Sequence, residues 1–271
     1  MNFELLIFIF LCTGFLTGIL AGMLGVGGGL IFVPVLYLLL PFTPIDRTQI
    51  SYIVIGTSLF AAAITSISSG ANHYFKKNVD ARKAFYLAAG SILSSIVSSF
   101  LVIRIEPFWL KVIFAAVFIL IAARMLAERD GKKNPNEKKS VVLKETYGIL
   151  FGLAVGIFAA FTGLGGGILF VPILTYLFGV DFKKAIGTSS LVISVTGIAA
   201  AGAYAFHEPK GIVAPYQYGY VYLIAGLPLA IGAAAGAFRG VKIVLGSQTK
   251  SIKKVFSALL ILVVIKILLG F

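Results

Sequence analysis

Charge is what this chain most lacks. Only 12% of its 271 residues are Asp, Glu, Lys or Arg, about half the share in a soluble domain. A single cysteine, Cys12, excludes an internal disulfide and a cysteine-built zinc site, and it says nothing about compartment. The two histidines, His73 and His207, follow the third and eighth hydrophobic segments and are expected at surfaces. None of the ten acidic residues falls at the centre of a hydrophobic segment. The chain thus lacks the buried carboxylate on which many pumps and proton-coupled carriers rely. Any coupled proton would have to travel on the substrate or on a peripheral histidine. There is no nucleotide-binding loop, which excludes direct ATP drive within this chain. So few nucleophiles, bases and metal ligands also make a membrane-embedded enzyme hard to build, and no cofactor is expected.

Apolar sequence is abundant. Hydrophobic residues make up 59% of the chain, and its mean hydropathy is +1.02. Runs of about 20 apolar residues, enough to cross a hydrocarbon core of ~30 Å, follow one another with short breaks. The reading is an all-α polytopic membrane protein whose first partner is the lipid bilayer. The first run, residues 2–22, has no Lys or Arg ahead of it and reads as a retained helix rather than a cleaved signal.

Sliding the sequence by 138 positions brings "LAGMLGVGGGLIFVPVL" (20–36) over "FAAFTGLGGGILFVPIL" (158–174), with nine of seventeen positions identical. "IGTSL" (55–59) and "IGTSS" (186–190) match with a slightly different shift. The chain divides into a first membrane repeat (1–127), a polar linker (128–144) and a second repeat (145–271). Each half shows five hydrophobic segments: about 3–22, 29–40, 50–71, 84–103 and 108–126, then 146–162, 168–178, 186–206, 218–238 and 253–270. Because five is odd, the second half must enter the membrane from the opposite side. Such inverted repeats are a transporter design.

With the linker placed in the cytoplasm, all but five of the 23 Lys and Arg residues fall on the inner side. The exceptions are Arg47, Arg104, Lys111, Lys210 and Lys266. The positive-inside rule then puts both termini outside a cytoplasmic (inner) membrane. It also accounts for the net charge of +13 without a nucleic-acid partner. Trp109 and Tyr216, Tyr218, Tyr220 and Tyr222 are expected in an interfacial aromatic belt.

Segments 2 and 7 are too short to span. Twelve helical residues cover ~18 Å, so the glycine runs Gly27–Gly29 and Gly165–Gly167 should interrupt helices at membrane depth. Backbone of this kind is tolerated there only inside protein or beside a wet cavity. Glycine admits positive φ and close approach. The helix that follows directs free N–H groups and its positive dipole end back at the turn, which makes an anion site without Arg or Lys. Packing is the alternative reading for these glycines. It is the preferred one for Gly14, Gly18 and Gly22 and for Gly148, Gly152 and Gly156, which repeat every four residues. On the binding reading, Gly28→Ala and Gly166→Ala weaken anion binding and spare stability. The "GTS" hydroxyls, Thr57 and Ser58 with Thr188 and Ser189, either bond their own helices or line the site. Ser91, Ser94, Ser95 and Ser98 share a face of segment 4 that reads as a close-packing surface, with a polar pathway as the alternative.

The duplicated "GxGGGxxxVPxL" (25–36 and 163–174), the GTS segments and the polar linker resemble the sulfite exporter TauE/SafE family, also called the toluene-sulfonate uptake permease family. The resemblance covers the whole chain. It implies a prokaryotic transporter or permease that moves a small sulfur oxyanion or organosulfonate, such as sulfite or sulfoacetate. A membrane-embedded enzyme and an assembly protein without transport remain alternatives, and homo-oligomerisation is left open. The substrate-binding residues expected are Gly27, Gly28, Gly29, Thr57, Ser58, Gly165, Gly166, Gly167, Thr188 and Ser189. No metal ligands are expected.

Overall fold

Apolar runs long enough to satisfy their own backbone become helices. The computed structural model describes residues 3–102, 144–209, 213–252, 254 and 258. Within them lie α1 (Phe3–Leu24), α2 (Gly29–Leu39), α3 (Ile50–Phe75) and α4 (Ala81–Leu101). The second half follows with α5 (Gly148–Thr162), α6 (Gly167–Pro172), α7 (Phe182–Ala205) and α8 (Leu223–Gly246). Among the described residues, five helices are long and apolar enough to cross a membrane: α1, α3, α4, α7 and α8. The shorter apolar helices are α2, α5 and α6, and α6 continues past Pro172 into a π-helical turn over Ile173–Leu177. The protein is therefore a mostly helical, multi-pass membrane protein. The expected fifth segment (108–126), the expected tenth (253–270) apart from Lys254 and Ala258, Trp109 and nearly all of the linker lie outside the described residues.

Several helix limits differ from the sequence expectation, each for a local reason. α4 and α7 start earlier because Asp80 and Asp181 cap them: Asp80 accepts from the Lys83 N–H, and Asp181 from those of Lys183 and Lys184. α3 runs four residues beyond its apolar stretch, to Phe75. The segment expected over 218–238 starts only at Leu223, because the aromatic run before it forms a small antiparallel hairpin, Gln217–Tyr218 with Val221–Tyr222. Gly219, at φ +54, makes the tight turn between the two strands. The hairpin also corrects the aromatic belt. Tyr216 and Tyr218 are exposed, whereas Tyr220 and Tyr222 are buried in the core.

The glycine ridges pack as expected. α1 lies along α8, with Gly14, Gly18 and Gly22 against the backbone of Leu229, Ala233 and Ala237 in turn. α5 lies along α4 in the same manner, with Gly148, Gly152 and Gly156 against Tyr86, Leu87 and Ser91. The first helix of each half thus packs on a later helix of the other half, and α3 and α7 pack on each other between these pairs. Ser91, Ser94, Ser95 and Ser98 are buried in the α4–α5 contact and beside α7, where Ser91 Oγ lies 2.6 Å from Thr196 Oγ1. Phe8, Leu16, Leu93 and Leu150 face outward, as helices in contact with lipid require.

Candidate substrate site

The two glycine motifs fold alike. Gly25, Gly27 and Gly28 have φ of +67, +75 and +88, and Gly163, Gly165 and Gly166 have φ of +72, +74 and +79. A side chain in this left-handed region costs roughly 1–2 kcal/mol per residue, so glycine is the residue that makes this turn. Gly28 and Gly166 occupy the N-cap positions of α2 and α6. Their carbonyls accept the first helical bonds, from Ile31 and Phe32 in one motif and from Leu169 and Phe170 in the other. The N–H groups of Gly29 and Leu30 precede those bonds and point out of the helix end.

The turns meet each other at the middle of the fold. Gly29 stands against the Gly163 carbonyl, and Gly167 against that of Gly25, so closely that an added Cβ would lie 2.5 Å from the oxygen in each case. Gly27 and Gly165 both face the Cγ2 of Ile193 and the Cβ of Ala62. Ala62 lies halfway along α3 and Ile193 halfway along α7. Both turns are thus far from either end of the two central helices.

The GTS hydroxyls hold this arrangement in place. Ser58 Oγ donates to the Gly163 carbonyl at 2.8 Å, and Ser189 Oγ donates to the Gly25 carbonyl at 2.8 Å. Thr57 Oγ1 accepts from the Tyr222 N–H at 3.0 Å, just ahead of α8. Thr188 Oγ1 accepts from the Asp80 N–H at 2.9 Å, just ahead of α4, and donates to the Lys184 carbonyl. The fold brings the six glycines, Ser58 and Ser189 together, whereas Thr57 and Thr188 bond away from the turns, to the backbone ahead of α8 and of α4. All four hydroxyls are spent on the protein's own backbone. Gly29 and Gly167 give close approach to the opposite turn.

Two hydroxyls the repeat does not flag sit at the first turn. Thr17 of α1 and Ser66 of α3 are each 1% exposed, and among the described residues neither oxygen has a hydrogen-bond partner. Thr17 lines a small cavity with Val26, Gly28, Leu30 and Ile31. Ser66 Oγ would lie 3.2 Å from a Cβ on Gly27. Sequence periodicity cannot find them, since the matching positions in the second half are Val155 and Gly197.

His73 needs correction. It is buried, not peripheral, because the extended α3 carries it beneath Gly187 of α7. Its Nδ1 lies 2.9 Å from Asn78 Nδ2. His207 is half-buried at the end of α7, stacked on Phe100 and Tyr204. Among the described Asp, Glu, Lys, Arg and His residues, His73 is the buried one.

The sulfite exporter TauE/SafE family model matches residues 10–267. The chain belongs to that family. Its relatives include a probable membrane transporter protein of Haemophilus influenzae, 31% identical over 97% of this chain and 98% of the relative. Another, from Methanocaldococcus jannaschii, is 29% identical over 96% of this chain and 94% of the relative. A third, from Bacillus subtilis, is 25% identical over 97% and 96%. No solved structure matches the chain. By its TauE/SafE membership and these relatives, the protein is a membrane transporter, not an enzyme.

Proposed function

We propose that this transporter moves a small anion, a sulfur oxyanion or organosulfonate, across the cytoplasmic membrane. The observation that supports it best is the first glycine turn. It presents the N-terminal end of α2, an 11-residue helix, at the middle of the fold, and among the described residues no Lys or Arg is a nearest neighbour of its glycines. Unpaired N–H groups and the positive end of the helix dipole attract an anion, and they do so most strongly where water is excluded. The sulfur chemistry comes from the family description. Gly27, Gly28 and Gly29 with Gly165, Gly166 and Gly167 form the paired turns around the site, Ser58 and Ser189 hold the turns in register, and Thr57 and Thr188 fix the adjoining starts of α8 and α4.

The two halves are read as inverted repeats of five segments each. This accords with the shared turn geometry and with the reciprocal Ser58–Gly163 and Ser189–Gly25 bonds. Residues 76–83 and 183–188 meet at one pole of the fold, through Asn78 to the Lys183 carbonyl and through Asp80 to Thr188. That pole gathers Lys76, Lys77, Arg82, Lys83, Lys183 and Lys184, which suits a cytoplasmic face with both termini outside.

Flux into proteoliposomes of purified protein tests the function. Radiolabelled sulfite or methanesulfonate should enter or leave in a protein-dependent way, while acetate and choline should not. Equal rates with protein-free vesicles for every sulfur anion would refute it.

A further inference from the structure

We propose that the duplicated motif makes one substrate site rather than two: it lies at the first turn, and Thr17 and Ser66 are its hydroxyl ligands. This inference rests on the anion reading above and goes beyond it by breaking the symmetry of the repeat. A buried hydroxyl with no partner has lost its water and gained nothing in return, so it destabilises the empty fold. Thr17 and Ser66 are two such groups. Each is 99% covered, and each stands at the first glycine turn: Thr17 of α1 packs its methyl group against Gly28 and lines the cavity there, and Ser66 of α3 brings its hydroxyl to Gly27. A helical Ser or Thr ordinarily relieves itself by bonding a carbonyl one turn back. Thr65, Ser190 and Thr196 do so in this protein, and Thr17 and Ser66 do not.

The second turn is built differently. Gly166 faces Val155 Cγ1, Phe170 and Ala159, and among the described residues Gly165 faces Ile193 and Ala62. The Thr162 hydroxyl, in donating to the Phe158 carbonyl and accepting from the Leu164 N–H, ties that loop shut. The helix behind it, α6, has six residues before its π-helical turn, against eleven in α2. Apolar walls and a short helix suit a packed pivot. Two hydroxyl donors and a longer helix suit an oxyanion with several acceptor oxygens.

The test uses full-length protein in detergent, with sulfite as the probe and sulfate and methanesulfonate in parallel. Affinity is read by calorimetry and the thermal midpoint is measured without anion. Thr17→Val and Ser66→Ala should each weaken sulfite binding about tenfold or more, the scale of a hydrogen bond to a charged group. Their anion-free midpoints should hold or rise, because an unpartnered hydroxyl has been removed. Thr162→Val, at the second turn, should lower the midpoint and leave affinity unchanged. Wild-type affinity in Thr17→Val and Ser66→Ala would overturn the one-sided site while leaving the anion reading intact. So would lower anion-free midpoints in those two variants, since the hydroxyls would then be serving the fold. If the wild-type protein binds none of the three anions, the anion reading falls and this proposal falls with it.

Discussion

Ser58 Oγ donates a 2.8 Å hydrogen bond to the carbonyl of Gly163, a residue 105 positions away in the other half of the chain. Both groups are buried, so removing the hydroxyl leaves a backbone acceptor without water or partner. Ser58→Ala should lower stability by about 1–3 kcal/mol, and Ser189→Ala, which frees the Gly25 carbonyl, by a similar amount. Thermal denaturation in detergent measures both. Unchanged midpoints would mean that the two turns are held by packing alone.

Glycine-to-alanine substitutions separate contact from conformation. The sequence reading expected Gly28→Ala and Gly166→Ala to spare stability, and the structure reverses this. Both residues have positive φ, and an added Cβ would lie 2.7 Å from the Phe32 ring at Gly28 and 2.6 Å from Val155 Cγ1 at Gly166. Each should cost about 1–3 kcal/mol from strain and crowding. At Gly18 the φ is ordinary, but a Cβ would meet the Ala233 backbone, with its Cα at 2.6 Å. Backbone cannot yield as a side chain can, so Gly18→Ala should be at least as destabilising and should loosen α1 from α8. Denaturation midpoints for the three variants check this order.

Asp80 gives a pH signature outside the spans. Burial alone would raise its pKa. The hydrogen bonds and charge of Lys83, with Lys184 nearby, outweigh burial and hold the carboxyl below its ordinary 3.8. A carboxyl whose pKa is lower folded than unfolded contributes stability above the unfolded value, and that contribution is lost as pH falls through the folded one. The group is partly exposed, and its ion pair with Lys83 is solvent-screened. Asp80→Asn, which keeps a capping acceptor, should therefore cost only about 0.5 kcal/mol at neutral pH. It should also flatten the loss of stability below pH ~4. An unaltered acid limb would show that Asp80 does not carry it.

Much of this architecture was legible from the residues. The glycine ridges of α1 and α5 and the short α2 and α6 follow from spacing and from segment length. The chemistry of the site was legible only in part. Duplication pointed to Ser58 and Ser189, but a repeat marks what both halves share, and here the halves share scaffolding. Thr17 and Ser66 face Val155 and Gly197 across the repeat, so their role leaves no mark in an internal comparison. His73 was misplaced because the apolar run ends before the helix does: α3 continues to Phe75, with Asn72 donating to the Phe238 carbonyl of α8 and His73 packed against Gly187 of α7. The Tyr216–Tyr222 hairpin was missed because an aromatic run ahead of an apolar helix reads equally well as its first turn.

The most direct test of the central claim is to locate the anion itself. Selenite shares the pyramidal shape and charge of sulfite and scatters anomalously, so a crystal structure of the protein grown with selenite would mark the site. The account predicts one anomalous peak per chain, at the N-terminal end of α2 within hydrogen-bonding distance of the Gly29 and Leu30 N–H groups and the Thr17 and Ser66 hydroxyls. Selenite bound elsewhere, with that end of α2 empty, would contradict it.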